Sequence, residues 1–258
     1  MFFGYMNMTE FKVTHIWHDC FVVETPVANL VFDYWLDADG EARAVPRFLD
    51  GLNKHRPLYV FVSHFHKDHY NPDIFGWTRL FADVRFVVSG DVWKRMRHIV
   101  SATSVYKGPK VEPARVTVLH ANQCAEVGAS RVTAFPTTDV GNSYGVEVGG
   151  RLIFHAGDLN LWAWRDDSTP EEIRKAEGDY SACLRDIKAT IGDRTIDYCF
   201  FPIDSRIGSG YDEGARIFLR TFSVARFYAM HYDLGDEAER RQRHADAMAA
   251  MERIAKKR

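Results

Sequence analysis

Four cysteines in 258 residues, with no Cys-x-x-Cys pair among Cys20, Cys124, Cys183 and Cys199, argue against a thiolate zinc knuckle and a disulfide frame. Reduced, buried thiols in a cytoplasmic protein are the expectation. No apolar run approaches the roughly 20 residues that span a bilayer. The opening Met1-Phe2-Phe3-Gly4-Tyr5-Met6 lacks the basic flank, sustained apolar stretch and small-residue cleavage site of a secretory leader. Charge of one sign is missing as well. Lys plus Arg number 33 against 35 for Asp plus Glu, a formal net charge of -2, so no global positive field gathers nucleic acid or an anionic membrane. Linkers, low-complexity tracts and short-period repeats are absent. These absences leave a single domain over residues 1–258, with a small-molecule partner expected and oligomeric state open.

What is present suits one large core, since 46% of residues are hydrophobic. Short β-branched and aromatic runs at 11–17, 20–24 and 29–32, broken by Thr25-Pro26, predict a strand meander. Leu58-Tyr59-Val60-Phe61-Val62 is a continuous apolar run, the pattern of a strand buried on both faces. Asn71-Pro72-Asp73 reads as a helix start, and 85–88 followed by Gly90-Asp91 repeats strand, turn and helix. Strand patterns return at 116–119, 131–135, 144–148 and 151–154, with Gly149-Gly150 suited to a hairpin turn. Capping signals at 168–172 start a helix reaching roughly Ala189, with Gly178 a candidate interruption. Further buried strands are expected at 195–201 and 225–230. From Asp236 the helical period places Ala245, Met248, Met251 and Ile254 on one face, and Lys256-Lys257-Arg258 suits the negative end of the dipole. The segments 29–33 and 151–158 echo each other, each an apolar strand running into an aspartate.

The chemistry concentrates in His64-Phe65-His66-Lys67-Asp68-His69, directly after the strand at 58–62. Three imidazoles and a carboxylate at one strand end suit a borderline cation, and chance would give this pattern with probability on the order of 10⁻³ per chain of this length. His155-Ala156-Gly157-Asp158 and Met230-His231-Tyr232 place further donors just past other strands.

In that order these residues resemble the metallo-β-lactamase superfamily: His-x-His-x-Asp-His, a later aspartate, then a last histidine after a strand. The resemblance spans nearly the whole chain. It implies an α/β fold, a four-layer αβ/βα sandwich of two mixed β-sheets flanked by helices, with the site at one edge of the sheets. It also implies two divalent ions, Zn2+ first, with Mn2+ or Fe2+ open. His64 and His66 would hold the first, Asp68, His69 and His231 the second, and Asp158 would bridge them. The chain departs from the family where a third histidine for the first ion belongs: 135–143 reads Phe-Pro-Thr-Thr-Asp-Val-Gly-Asn-Ser, and His120 comes too early. Either that first site is vacant or Asp139 replaces the histidine, which is the reading favoured. With Asp139, three carboxylates and a hydroxide balance two divalent ions to zero charge, about one unit less positive than with histidine, and oxygen ligation shifts preference toward harder ions.

The implied reaction is attack by a metal-bound hydroxide, oriented by the catalytic Asp68, on an ester, lactone, thioester, amide or phosphodiester of a small molecule. Alternatives are an iron-dependent redox enzyme of the same fold, a nuclease related to ribonuclease Z, and a degenerate ligand-binding protein. Around the ligands, Asp33 reads as an acceptor for a ligand imidazole, His155 as a structural histidine, and Arg206 as a candidate for a substrate anion. The resemblance puts the loop with His18-Asp19 near the site. Trp162 and Trp164, with Tyr34, Trp35 and Tyr70, are candidate pocket walls.

Overall fold

A computed structural model describes residues 11–101 and 103–256; the leader reading at residues 1–6 and the terminal Lys257 and Arg258 lie outside the described residues. Strands β1 (Lys12–Trp17), β2 (Cys20–Glu24), β3 (Asn29–Phe32), β4 (Leu58–Val62), β5 (Val84–Ser89) and β6 (Val116–Leu119) form one sheet in sequence order. A second sheet takes β7 (Cys124–Val127), β8 (Ser130–Phe135), β9 (Ser143–Val148), β10 (Arg151–His155), β11 (Ile196–Pro202) and β12 (Val224–Met230), also in order. Both are mixed. Pairs β1–β2 and β2–β3 are antiparallel and β3 to β6 parallel, while β7 to β10 are antiparallel and β10 to β12 parallel. Short turns permit the antiparallel pairs, whereas parallel pairs need crossovers, such as helix α1 (Gly90–Val100) between β5 and β6.

Side-chain alternation sets the layers. Between the sheets Phe21 stacks on Phe200 at 4.1 Å and Phe32 on His155 at 5.0 Å. The neighbours Phe154 and Phe201 turn the other way, onto Phe218 of α3 (Glu213–Thr221) at 5.2 and 4.9 Å. In β4, Tyr59 and Phe61 join the inter-sheet core, while Leu58, Val60 and Val62 pack with Met96 and Ile99 of α1. That is why the run at 58–62 does not alternate with polar residues: both of its faces are covered. Each such buried side chain contributes roughly 1.5–3 kcal/mol. The result is the expected four-layer α/β sandwich.

Several local expectations are corrected. The helix start at Asn71-Pro72 opens a 3₁₀ segment, Pro72–Arg79, with Asn71 accepting from the Asp73 amide and Gly76 weakening α-helical continuation. Helix α2 (Pro170–Ile191) runs through Gly178, which lies exposed, and starts with a Thr169–Glu172 capping box. Helix α4 (Glu237–Ala255) buries Ala247, Ala250 and Ile254 and leaves Ala245 and Met248 exposed, because small residues let it approach more closely. Strand β7 and helix α3 had no clear pattern in sequence. Cys20, Cys183 and Cys199 are buried, but Cys124, on edge strand β7, is exposed. Gly149 and Gly150 have φ of 55° and 75°, as the β9–β10 hairpin requires. No described helix is long and apolar enough to cross a membrane.

Candidate metal centre

The carboxyl ends of the parallel strands from both sheets converge on one edge, where open α/β sheets place their ligands. Strand β3 runs into Asp33, β4 into His64, β10 toward Asp158, β11 toward Asp204 and β12 into His231. The two-residue turn His18-Asp19 of the β1–β2 hairpin closes the ring. Five described non-glycine residues have positive φ, and four of them, His18 (54°), Asp33 (44°), Trp164 (44°) and His231 (69°), belong to this region. Such conformations cost on the order of 1–3 kcal/mol each and cluster where function holds them. Gly141, at φ 83°, lies so close to Ser63 and His64 that a Cβ there would collide with both.

The donors gather into three groups, two of which share Asp158 and the third of which is His18, Asp68 and His231. An inner set joins Asp19, His69, Asp158 and His231, and an outer set joins His64, His66, Asp139 and Asp158. In the inner set His69 Nε2 stands 3.0 Å from Asp158 Oδ1 and 3.5 Å from Asp19 Oδ2, and His231 Nε2 stands 3.4 Å from Asp158 Oδ1. In the outer set His64 Nε2 is 3.3 Å from Asp158 Oδ2 and His66 Nδ1 is 3.6 Å from Asp139 Oδ2. Ligands at 2.0–2.1 Å around a tetrahedral zinc are about 3.3 Å apart, so both sets are spaced for one ion each.

Hydrogen bonds fix which ring nitrogen faces inward. Asp33 accepts from His69 Nδ1 at 2.9 Å and Asp204 accepts from His231 Nδ1 at 2.9 Å, so both histidines turn Nε2 toward Asp158. Ser63 Oγ donates to Asp33 at 2.5 Å, which leaves His64 Nδ1 to donate to Ser63 Oγ at 3.0 Å and puts the lone pair on its Nε2, 3.0 Å from His66 Nδ1. This is the carboxylate–histidine arrangement that orients metal-binding imidazoles. His18 is the exception. Its Nδ1 accepts from the Asp233 amide at 3.0 Å, so the proton sits on Nε2, facing Asp19 Oδ2 at 3.2 Å and Asp68 Oδ2 at 3.6 Å.

Buried atoms test whether these residues suit metal ions. His69 Nε2, both oxygens of Asp19 and Asp158 Oδ1 are buried without a hydrogen-bond partner among the described residues. Buried polar groups are nearly always satisfied, and Asp19 Oδ2 and Asp158 Oδ1 stand 3.5 and 3.0 Å from His69 Nε2, so these orphaned atoms fit a cation between them. The electrostatics agree. Burial opposes charge on His69, yet Asp158 and Asp19 push its pKa well above the usual value. Burial likewise opposes charge on His231, but Asp19 and Asp158 raise it to about 9. Asp158 is held well below the carboxylate range, since His69 and His231 outweigh its burial. Four imidazoles and three carboxylates in two sets therefore fit a pair of divalent ions.

The sequence-predicted residues fare differently. His64, His66, Asp139 and Asp158 come together, as do His69, Asp158 and His231. Asp68 does not join either set; it lies with His18 and His231, and its Oδ2 is 4.0 Å from His69 Nε2. Asp19, which the sequence reading did not name as a ligand, stands with His69, Asp158 and His231, while Asp68 adjoins them through His231. The sequence signal for Asp19 was the resemblance, which puts the loop with His18-Asp19 near the site. Asp33 is the acceptor it was expected to be. His155 donates from Nε2 to the Asp19 carbonyl at 2.9 Å and accepts from the Gly157 amide, a structural histidine that pins the turn.

A cavity of about 380 Å³ opens over the donors, lined by Asp68, Thr138, Asp139, Asp158, Trp162, Trp164, Arg206 and His231. Trp162 donates Nε1 to the Asp158 carbonyl at 2.8 Å and stacks with Trp164, ring centres 6.4 Å apart. Arg206 grips Asp204 through Nε and Nη2, leaving Nη1 without a partner among the described residues. Tyr34 is buried beneath Trp77 and donates to the Arg43 carbonyl, so it is core rather than wall. Trp35 and Tyr70 also lie outside the cavity lining. A wider cleft of about 510 Å³ at the other end of β10 is lined by Arg151 and Arg194, which are already paired with Asp197 and Glu147, and it gathers no donor set.

Two mixed sheets flanked by helices, with paired His and Asp donor sets at the strand ends, define a metal-binding α/β sandwich. Residues 28–232 match the family described as a beta-lactamase superfamily domain, and the chain belongs to that family. Solved structures share the fold at low identity. A diiron beta-hydroxylase from Streptomyces venezuelae aligns with a TM-score of 0.59 at 14% identity, over 96% of this chain and 52% of its own. The present chain thus spans about half the length of that hydroxylase. A metallo hydrolase from the hyperthermophilic archaeon Ignicoccus hospitalis KIN4/I gives 0.55 at 17% identity over 92% and 91% of the two chains. The metallo-beta-lactamase fold protein YhfI from Bacillus subtilis gives 0.51 at 12% over 93% and 88%. No curated protein matches in sequence.

Proposed function

We propose that the chain is a hydrolase of small molecules that works with two divalent ions, cleaving an ester, lactone, amide or phosphodiester bond. The observation that carries this reading is the convergence of buried, unpartnered donor atoms on Asp158, directly beneath the cavity. The inner ion would be held by His69, His231 and Asp158 with one further carboxylate, the outer by His64, His66, Asp139 and Asp158. Bound there, the ions would supply Lewis-acid polarisation of a carbonyl or phosphoryl oxygen and an activated water.

The chain's own residues do the rest. Asp68, with about a quarter of its side chain exposed, faces the cavity and can accept a hydrogen bond from the attacking water. Trp162 and Trp164 provide an apolar wall beside His231, and Arg206 Nη1 presents a positive group to a substrate carboxylate or phosphate. The cavity volume lies within the range of small-molecule sites, roughly 300–1,000 Å³. Three aspartates against one arginine in its lining, with the formal charge of -2, weigh against a nuclease.

The test is metal analysis of protein purified without added metal, followed by turnover on lactones, carboxylic esters and phosphodiesters. Two ions per chain, with turnover in at least one class, is the expected result; protein that binds no divalent ion would sink the reading. A second reading, iron-dependent redox chemistry, is favoured by the carboxylate-rich donor sets, which suit iron or manganese better than all-histidine sites do. Oxygen uptake coupled to turnover of the iron-loaded protein, with no hydrolysis, would select it.

A further inference from the structure

We propose that the cavity over the donors continues past Trp162 into a second, smaller chamber, which receives a short uncharged arm of the substrate. This inference rests on the hydrolase reading above and narrows the class of substrate that such a site would take.

The second chamber, of about 170 Å³, is lined by Thr138, Asn160 and Trp162 from the side of the metal centre and by Lys175, Ala176 and Asp179 from helix α2. Thr138 and Trp162 line the larger cavity as well. Both are tied to Asp158, the residue that the inner and outer sets share. Trp162 Nε1 donates to the Asp158 carbonyl at 2.8 Å, and Thr138 Oγ1, which donates to the Asn160 carbonyl at 2.7 Å, lies 3.3 Å from it. The Asn160 amide closes the brace by donating to Thr138 Oγ1 at 3.0 Å. The wall common to the two spaces is therefore built on the metal centre and fixed before substrate arrives. A substrate whose scissile group sits over Asp158 reaches the chamber by passing one residue, Trp162.

The two spaces differ in charge. The larger one offers Arg206 to an anion. In the chamber the lining cation is Lys175, and its Nζ is already held by Asp179 at 2.5 Å. Glu172, which also lines it, accepts from the Thr169 amide and hydroxyl at 2.8 Å each. Two carboxylates thus face one ammonium that is already paired, so an anionic arm would lose hydration there and gain no partner. Trp162 and Ala176 supply apolar surface, on which methylenes escape water. At roughly 30 Å³ for each water-sized group, the volume holds about five or six of them. The substrate so defined carries a short neutral acyl or alkyl arm beside the bond that is cleaved.

Hydroxamates test this whatever the bond cleaved, because the hydroxamate group chelates metal ions while the arm is varied. Acetohydroxamate, hexanohydroxamate and adipic monohydroxamate, whose longer arm ends in a carboxylate, are titrated by calorimetry into the Zn2+-loaded full chain. Wild type is compared with Ala176→Phe, which fills the chamber from a position outside every donor set, with folding checked by circular dichroism. Each methylene taken from water is worth roughly fourfold in affinity, so hexanohydroxamate should bind wild type at least about tenfold more tightly than acetohydroxamate. Ala176→Phe should remove that gain and leave acetohydroxamate and adipic monohydroxamate within about twofold of their wild-type affinities. A gain that is missing in wild type, or that survives in Ala176→Phe, overturns the inference. So does adipic monohydroxamate that matches hexanohydroxamate in wild type and falls with it in the variant. Should Ala176→Phe fail to fold, Ala176→Leu replaces it under the same criteria. A Zn2+-loaded wild type that does not bind acetohydroxamate would instead overturn the metal-dependent reading, so the two failures are distinguishable.

Discussion

The inner and outer donor sets share Asp158 but are built on different principles. Inner side chains are nearly sealed: Asp19 and His69 are 0% exposed and His231 5%, whereas His66 and Asp139 of the outer set are 42% and 41% exposed. Both inner histidines lean on a charged acceptor, Asp33 or Asp204. In the outer set His64 reaches Asp33 only through the Ser63 hydroxyl, and neither His66 nor Asp139 has a backing side chain among the described residues. Under the proposed two-ion reading, burial and preorganisation would make the inner site the tighter one. The outer set, in which Asp139 comes from the exposed stretch between β8 and β9, would trade affinity for access to the cavity.

Loss of the shared ligand should have the largest effect. Asp158→Ala is expected to release both ions and reduce turnover to background, measured by elemental analysis and a hydrolysis assay. A variant that retained either ion fully would show that the sets do not meet at Asp158. Next comes Asp139→Ala, which should release the outer ion alone, its affinity falling at least the roughly 10–100-fold that outer-shell changes produce. Stepwise chelator titration with two resolved phases in wild type and one in Asp139→Ala checks this. Simultaneous loss of both ions would erase the contrast between the sites.

A pH series sharpens the contrast further. An ion requires the neutral form of His231, but in the ion-free protein burial is outweighed by Asp19 and Asp158 and the pKa rises to about 9. Protons therefore compete with the inner ion below that value. His69, whose pKa is also held well above the usual value by Asp158 and Asp19 against its burial, carries a second competing proton, so the inner ion's affinity should climb at least tenfold per pH unit toward about pH 9 and less steeply above it. Calorimetry in buffers of differing ionisation heat would detect the released proton. A flat profile would mean that neither His69 nor His231 is a ligand.

The sequence exposed those parts of the site that are local. His64, His66 and His69 are compressed into six residues after a buried strand, and Asp158 and His231 each follow a readable strand, so pattern and order sufficed. Asp139 was reachable because a strand-to-turn context stood where the family has a histidine. Asp19 was legible only as part of a loop that the resemblance puts near the site, because its place beside His69 and Asp158 arises from contacts of its turn with His155 and His231, more than 130 residues away, and from a hairpin turn whose direction no periodicity encodes. The tautomer of His18, set by the Asp233 amide, was hidden for the same reason. Among the fold elements, apolar strands were legible and α3 was not, since the docking of a nine-residue helix depends mostly on Phe218 reaching Phe154 and Phe201.

The smallest expected effect, and the most discriminating, comes from Asp33→Asn. Asp33 has φ 44°, a conformation that asparagine adopts at least as readily as aspartate, so the backbone should be undisturbed. The Asn oxygen can still accept from the Ser63 amide, now at 2.7 Å from Asp33 Oδ1. The amide nitrogen would then face His69 Nδ1 and Ser63 Oγ in place of Oδ2. Two donors cannot satisfy each other, so His69 is driven toward the tautomer with its proton on Nε2, the nitrogen that faces Asp158. Metal binding must reverse that preference, which should weaken the inner ion by about tenfold, the low end of the range for such supporting residues. The outer ion feels Asp33 only through Ser63, and its affinity should change less. Competitive chelation of both ions in wild type and Asp33→Asn measures the two shifts side by side. An outer ion weakened more than the inner one would mean that Ser63, rather than His69, carries the influence of Asp33, and the order of the two sites would have to be reversed.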